Sequence, residues 1–311
     1  MKKLVTLVLA LVLVAAVSCA SAVEIGICQL VQHPALDAAT QGFRDALTEK
    51  FGGDVTFDEQ NASGDAVNCA TIINTFVSNN VDLILANATP ALQAAVAATA
   101  DIPVLGTSIT EYGVALGIDD FNGVTGINVS GTSDLAPLNE QAAMVKELFP
   151  EAKKVGLLYC SAEANSIYQV KVVGEELGKL GYETEEYAFT DSNDVASVAQ
   201  SAADSCDVIY IPTDNTAAAY TETIANVLIP AGIPAVVGEE GICSGCGVAT
   251  LTISYYDIGY KTGEMAYEIL ANGADVSAMP IEYAPQFTKK YNAANAKALG
   301  IAIPEDYVAI E

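Results

Sequence analysis

Two stretches of the chain share one pattern: Val81-Asp-Leu-Ile-Leu-Ala-Asn-Ala-Thr89 and Cys206-Asp-Val-Ile-Tyr-Ile-Pro-Thr-Asp214. In each, an acidic residue precedes a short apolar run, which is typical of a strand buried on both faces in a parallel sheet. Polar residues then end the strand and lead into a helix. A pattern that occurs once in each half of the chain predicts two lobes of the same topology.

The segments around both stretches alternate short apolar runs with amphipathic stretches, as βαβ units do. In the first half this predicts strand 24–30, helix 34–51, strand 55–58, helix 65–79, strand 81–86 and a helix with Thr89 as N-cap and Pro90 at its first position. In the second half it predicts strand 155–160, helix 166–180, strand 184–189, helix 194–203 and strand 208–212. The predicted fold class is α/β, with two Rossmann-like lobes whose parallel sheets are flanked by helices.

The first 22 residues have the features of a signal peptide. Lys2 and Lys3 precede an apolar run over 4–17, and small residues up to Ala22 supply a cleavage site. Cys19 offers an alternative, because a cysteine that closes such a run can be the lipid-modified first residue of a bacterial lipoprotein. We therefore expect an exported protein in the periplasm or at the cell surface, with or without lipid on Cys19.

The charge of the chain restricts its partners. Without Lys2 and Lys3 it has 11 basic and 39 acidic residues, a net charge of −28. Such a charge repels nucleic acid and anionic lipid surfaces, so neither is expected as a partner. The roughly 290 residues after the signal segment exceed what one core usually holds, which also favours two lobes in a monomer.

Six cysteines follow Ala22, and only Cys243 and Cys246 are close in sequence. In an exported chain this pair is expected to form a small disulfide or to remain as two idle thiols. The spacing of the cysteines and of the single histidine does not indicate a metal site, and no cofactor is expected.

In open parallel sheets, ligands bind beyond the carboxyl ends of the strands, where loops lead into helices. If two such lobes face each other, these loops line the space between them. The loops are 31–34, 86–90, 106–109, 161–166, 213–216 and 238–241.

Several short motifs in and beside these loops resemble one protein family. They are Gln32-His33-Pro34-Ala35-Leu36-Asp37, Asn87-Ala88-Thr89-Pro90-Ala91, Val124-Thr125-Gly126, Glu163-Ala-Asn165-Ser166, Pro212-Thr213-Asp214-Asn215 and Tyr255-Tyr256-Asp257-Ile258-Gly259. In order and spacing they resemble the ABC-transporter substrate-binding proteins that bind tryptophan and related aromatic amino acids. The resemblance covers essentially the whole chain after the signal segment.

The resemblance implies a type I periplasmic-binding-protein fold, in which two lobes joined by three crossings of the chain close on a ligand. Applied to this sequence, one lobe contains 23–134 plus 255–279 and the other 135–254 plus 280–311. The chain departs from the family pattern at Ser63, in the loop 106–112 and at Ser254. These departures lie near the cleft or the hinge, so the ligand could differ from tryptophan.

An amino-acid ligand requires donors for its carboxylate. Arg44 is the only arginine, and it lies on the polar face of the first predicted helix, away from the cleft. We therefore expect Thr89, at a helix start, to bind the carboxylate, with Thr107 or Ser108 as a further donor. A plain capping role is the alternative for Thr89.

The ammonium of such a ligand requires acceptors, and Asp214 and Glu163 are predicted to supply them from the second lobe. Their alternative roles are in capping: Asp214 with Asn215 at one helix, and Glu163 with Asn165 and Ser166 at the helix that starts near Ser166. Gln32 and His33, on the loop before the first helix, belong to the predicted ligand-binding set as well. Asn165, Ser166 and Asn215, which stand beside the two acids, complete it.

The sequence thus predicts a receptor that binds an amino acid between its lobes and passes it to the membrane permease of an ABC importer. The resemblance implies that this amino acid is aromatic: Trp, Phe or Tyr. A signalling receptor on the same fold and a receptor for a non-aromatic solute are the alternatives. An enzyme is not expected, because His33 is the only histidine and stands in no hydrolase, metal or phosphate-loop motif.

Overall fold

A computed structural model of the chain describes residues 22–310. Apart from Ala22, the expected signal segment lies outside the described residues, and so does Cys19. Within the described range, two mostly parallel sheets are each covered by helices on both faces. This confirms the predicted α/β fold class.

The first half of the chain alternates strands and helices. Its elements are β1 (Val23–Gln29), α1 (Pro34–Phe51), β2 (Val55–Asn61), α2 (Ala66–Asn79), β3 (Leu83–Asn87), α3 (Thr89–Ala98), β4 (Val104–Ile109), α4 (Tyr112–Leu116) and β5 (Val129–Ser133).

The second half repeats the alternation and then returns to the first lobe. Its elements are α5 (Leu138–Leu148), β6 (Lys154–Cys160), α6 (Ala164–Lys179), β7 (Glu183–Phe189), α7 (Val195–Ala203), β8 (Val208–Ile211), α8 (Asn215–Ala219), α9 (Thr221–Ala231), β9 (Ala235–Val237), α10 (Glu240–Gly245) and β10 (Ala249–Thr252). The last elements are α11 (Tyr255–Asn272), a 3-10 turn (Val276–Ala278), β11 (Glu282–Tyr283), β12 (Thr288–Tyr291), α12 (Ala293–Ala298) and β13 (Val308–Ala309).

The strand order is β11-β5-β4-β3-β1-β2 in the first sheet and β13-β12-β10-β9-β8-β6-β7 in the second. Only the pairing of β10 with β12 is antiparallel among the described strands. The chain passes between the lobes after β5, after β10 and after β11, and these three crossings lie at the same edge of both sheets. We call them the hinge.

Three details differ from the expectations. Thr89 is the first residue of α3 rather than its N-cap, because Ala88 adopts the non-helical conformation that precedes the helix. Helix α6 starts at Ala164, before Ser166. Strand β11 pairs with β5, so the chain is still in the first sheet at Tyr283, whereas the expected boundary placed residues from 280 in the second lobe.

Each sheet separates two apolar clusters. In the first lobe, one cluster packs β1, β3 and β4 against α2 and α3, and the other packs the opposite face against α1 and α11. The second lobe has the same two-sided arrangement. In the described part of the chain, no helix combines the length and the apolar character that a membrane crossing requires.

Helices α1 and α11 pack closely because glycines stand at their contact. A Cβ atom on Gly259 would overlap the backbone carbonyl of Ala39, and one on Gly42 would overlap the carbonyl of Tyr256. These two helices, which are far apart in sequence, therefore cover one face of the first sheet as a unit.

We predict that Gly259→Ala lowers the free energy of unfolding by at least about 2 kcal/mol, because the new methyl group meets backbone that cannot move independently. Gly178→Ala is the matched control, since a Cβ on Gly178 in α6 meets nothing within 4 Å. The control should stabilise the protein by about 0.5–1 kcal/mol. Urea unfolding of both variants tests this, and equal effects would contradict the packing described.

Candidate functional site

The carboxyl ends of the strands in both sheets face each other across the space between the lobes, which we call the cleft. Its walls are the loops after β1, β3 and β4 in the first lobe and after β6, β8 and β9 in the second. The lobes approach closely here, with His33 Nε2 3.4 Å from Asn215 Oδ1. The predicted loops are therefore brought together.

Cavities lie on both sides of this contact. Towards the hinge, a cavity of about 630 Å³ is lined by Pro34 and Ala35 of α1 and by Glu239 and Tyr255. Towards the opposite edge of the sheets, a cavity of about 570 Å³ includes Glu163 in its lining. Both cavities have walls from both lobes, as a ligand site that forms by closure requires.

Glu163 is fully occupied by hydrogen bonds at the start of α8. Its carboxylate accepts from the backbone N–H groups of Asn215 (3.0 Å) and Thr216 (2.9 Å), from the Thr216 hydroxyl and from the side-chain amides of Asn215 and Asn165. It makes no capping bond to α6, the helix it precedes. The alternative role of Glu163, capping the helix that it precedes, is therefore wrong: its carboxylate caps α8 instead.

Asp214 is the N-cap of α8, as its alternative reading predicted. One oxygen accepts from Ala217 N at 2.8 Å and the other from Cys160 N at 2.7 Å. Burial, together with the nearby charge of Glu163, raises the pKa of Asp214 to about 7. The bonds of Asp214 thus join the loop after β6 to the loop after β8.

Glu239 was not among the predicted residues, although it occupies the equivalent place after β9. Its carboxylate accepts from the backbone N–H groups of Gly241 and Ile242 at the start of α10. Burial raises its pKa to about 7, and Glu240 and Asp134 add to the effect. The Gly-Glu-Glu-Gly sequence at a predicted strand end was the signal that could have identified it.

In the first lobe, Thr107 and Ser108 differ in what their hydroxyls contact. The Thr107 hydroxyl lies 3.2 Å from that of Thr132, which in turn lies 2.8 Å from the hydroxyl of Thr262 in α11. Ser108 is also buried, but its hydroxyl has no partner among the described residues. Of the two, Ser108 has the hydroxyl available to a ligand.

The backbone of the first lobe is strained where it meets the cleft. Ser108 has a φ of +57° and Ala88, before α3, a φ of +90°. Non-glycine residues avoid positive φ, and such strain is concentrated at binding and catalytic sites. Thr89 follows Ala88 and is buried at the start of α3.

The remaining predicted residues divide between the cleft and the surface. His33 and Asn165 are buried, and His33 Nδ1 and Asn165 Oδ1 lack partners within the described structure. Burial lowers the pKa of His33, which favours its neutral form. Ser166 is buried and accepts from Asn165, whereas Gln32 is exposed.

Asp134 is a further buried residue that the sequence interpretation did not include. It follows β5 at the first crossing, and its Oδ2 accepts from the Tyr255 hydroxyl at 2.9 Å. Burial raises its pKa to about 6, although the hydroxyls of Tyr255 and Thr110 favour its charged form. Its Oδ1 has no partner in the described part of the chain.

Cys243 and Cys246 are free, buried thiols, so the structure has the idle-thiol alternative and not the disulfide. Cys243 lies inside α10 and Cys246 directly follows this helix. Burial raises the pKa of both thiols well above the usual range, which keeps them protonated. Among residues 22–310, no cluster of histidine, cysteine and carboxylate side chains is arranged to hold a metal.

The buried carboxyl groups predict how stability depends on pH. Asp214 and Glu239 bind protons with pKa values of about 7 in the folded chain, against ordinary values near 4 when unfolded. The folded state therefore holds more protons between these limits, and stability falls as pH rises from about 4 to about 7.

We expect the melting temperature at pH 5 to exceed that at pH 7.5 by roughly 5 °C. Asp214→Asn should reduce this difference, because the variant has one fewer buried group to ionise. Calorimetric scans across this pH range measure both effects. A melting temperature that rises with pH, or an unchanged slope in the variant, would contradict the assignment.

Comparisons with known proteins agree with the geometry of the cleft. The family described as ABC transporter substrate binding protein matches residues 24–310. A curated tyrosine-binding protein from Clostridioides difficile (strain R20291) is 39% identical over 261 residues, which are 83% of this chain and 75% of that protein.

Two solved structures of similar proteins differ in their state. An ABC domain from Streptococcus pneumonia in complex with L-Trp is 33% identical, covers 92% of this chain and 100% of its own, and superposes with a TM-score of 0.87. A ligand-free, open substrate-binding protein from Clostridium difficile is 38% identical, covers 93% and 99%, and superposes with a TM-score of 0.70.

The better superposition is thus with the ligand complex, although the open protein is more similar in sequence. A TM-score falls when one lobe is displaced relative to the other, even if each lobe keeps its own structure. The higher TM-score with the ligand complex therefore agrees with a closed arrangement, in which the lobes meet between His33 and Asn215. The comparisons confirm the resemblance first noticed in the loop motifs. The chain belongs to the ABC transporter substrate-binding protein family.

Proposed function

We propose that the chain is an extracytoplasmic receptor that closes on one aromatic L-amino acid, tyrosine or tryptophan, and delivers it to the permease of an ABC importer. The observation that carries this proposal is a set of buried polar atoms, in the cleft loops and at the first crossing, that have no partner among the described residues. They are His33 Nδ1, Ser108 Oγ, Asp134 Oδ1 and Asn165 Oδ1. Leaving such atoms unpaired costs about 1–3 kcal/mol each, and a bound ligand removes this cost.

The choice of an amino acid has support from two relatives. The curated relative is named for tyrosine and the similar structure contains L-Trp. Both ligands have a carboxylate and an ammonium on one carbon and an aromatic side chain. The cleft of this chain offers polar atoms from both lobes together with apolar walls such as Pro34 and Ala35.

Donors for the carboxylate lie in the first lobe. The Ser108 hydroxyl is free, and α3 directs the N–H groups of its first turn towards the end of β3. Arg44 takes no part, because it is partly exposed and forms an ion pair with Glu59 at 2.6 Å. We assign the carboxylate to this side of the cleft.

We expect calorimetric titration to show one L-tyrosine or L-tryptophan bound per chain, with a rise in melting temperature at saturating ligand. Branched aliphatic amino acids and sugars serve as controls and should bind far more weakly. No heat and no thermal shift with any of the twenty amino acids would overturn the proposal.

Ser108→Gly tests the carboxylate assignment without adding strain, because glycine adopts a φ of +57° readily. Loss of a hydrogen bond to a charged group should weaken binding at least about tenfold. Asn80→Gly, at a φ of 55° on the exposed end of α2, is the matched control and should leave affinity unchanged. An unchanged dissociation constant for Ser108→Gly would remove Ser108 from the site.

A further inference from the structure

The cleft contains buried acidic groups, and no lysine or arginine of the described residues is buried beside them. Asp134, Glu163, Asp214 and Glu239 are each 5% exposed or less, and all lie in loops or crossings that border the space between the lobes. No ion pair in the described structure involves any of them. A cationic group of the ligand would therefore find buried carboxylates here that no cation of the described chain neutralises.

Three of these carboxylates already have protein donors on both oxygens. Glu163 accepts from the start of α8, Asp214 from Ala217 and Cys160, and Glu239 from the start of α10. Helix N-termini stabilise negative charge through aligned N–H groups, so these acids are satisfied without a ligand. An ammonium that bound to one of them would have to share an acceptor already in use.

Asp134 is different, because only one of its oxygens is occupied. Tyr255 donates to Oδ2, which fixes the orientation of the carboxylate, and Oδ1 is buried with no partner among residues 22–310. A pKa of about 6 leaves this group ionised at neutral pH, whereas Asp214 and Glu239 are near half protonation there. Among the four, Asp134 is the strongest remaining acceptor for a cation.

Asp134 also lies close enough to Ser108 for both residues to contact one amino-acid ligand. The backbone N–H of Asp134 donates to the carbonyl of Ile109, the residue that follows Ser108, at 3.1 Å. The carboxylate and ammonium of an amino acid are attached to the same carbon, so the groups that bind them must be close neighbours. Ser108 and Asp134 lie at the ends of adjacent strands and meet this condition.

We propose that Asp134 binds the ammonium of the ligand through Oδ1, and that Tyr255 is the positioning residue that holds the Asp134 carboxylate in place. This inference rests on the proposed function, since it assumes an amino-acid ligand. It replaces Asp214 and Glu163 as the acceptors, and it places the charge recognition at the hinge rather than in the second lobe.

The test compares ligands that differ only in the amino group. L-tyrosine is titrated against desaminotyrosine, and L-tryptophan against indolepropionate, with wild type, Asp134→Asn and Asp214→Asn. Asp134→Asn keeps an acceptor for Tyr255 but removes the charge. Its affinity for the amino acid should fall at least about 30-fold, while its affinity for the desamino acid should stay the same or increase.

Asp214→Asn is the matched control, since it perturbs the second lobe and should change the affinity for both ligands by the same factor. Equal losses for both ligands in Asp134→Asn would mean a structural role and overturn the inference, as would full affinity for the amino acid. A wild-type protein that binds neither amino acid would instead overturn the proposed function.

A crystal structure of the wild-type complex gives a second readout that does not depend on the variant folding. The inference requires the ligand nitrogen within about 3.2 Å of Asp134 Oδ1. A nitrogen bound to Asp214 or Glu163, and remote from Asp134, would overturn it.

Discussion

The cleft is organised by the cost of burying carboxylates where no protein cation accompanies them. Burying an isolated charge away from water is unfavourable in free energy. Hydrogen bonds to the charged group, or a pKa shift that neutralises it, reduce this penalty. Here Glu163, Asp214 and Glu239 receive backbone N–H groups from the starts of α8 and α10. Together with the bond from Cys160 N to Asp214, these bonds hold the loops after β6, β8 and β9 through contacts within the second lobe.

The first lobe differs from the second at the cleft. It has strained backbone and polar atoms without partners among the described residues, rather than carboxylates with donors on both oxygens. Positive φ values at Ala88 and Ser108 persist because β3, β4 and the helices around them hold both ends of each loop. The two walls thus differ: the carboxylates of the second lobe already have donors on both oxygens, whereas the first lobe has unpaired atoms at Ser108 and Asp134 in the described structure. A small zwitterion suits such a pair of surfaces.

The sequence was sufficient to predict the two lobes, because βαβ periodicity depends on short-range patterns such as 81–89 and 206–214. It also predicted the cleft loops, since parallel sheets collect their strand ends at one edge. The sequence did not predict which carboxylate oxygens in the cleft already accept hydrogen bonds from the protein. Glu163 precedes α6 in sequence but caps α8, which is adjacent only in the folded lobe.

The sequence analysis also missed Asp134 and β11, because their roles depend on contacts that form only in the folded chain. A single aspartate after a strand has no local pattern that marks it as buried at a hinge, and a two-residue strand such as β11 has too little periodicity to detect. Asp134 replaces Asp214 and Glu163 in the proposed site, and the ligand-binding roles of the other residues stay predictions: Gln32, His33, Thr89, Thr107, Ser108, Asn165, Ser166 and Asn215.

The packing of α1 against α11 has a consequence for how the molecule is made. The first sheet lacks the second of the two helices on this face until residue 272 has been synthesised, and it lacks its edge strand β11 until residue 283. Residues 135–254, which contain most of the second lobe, are contiguous and are synthesised earlier. The amino-terminal lobe is therefore completed after most of the carboxyl-terminal one. A nascent chain that ends before α11 leaves α1 in contact with its sheet but without the second helix that packs against it.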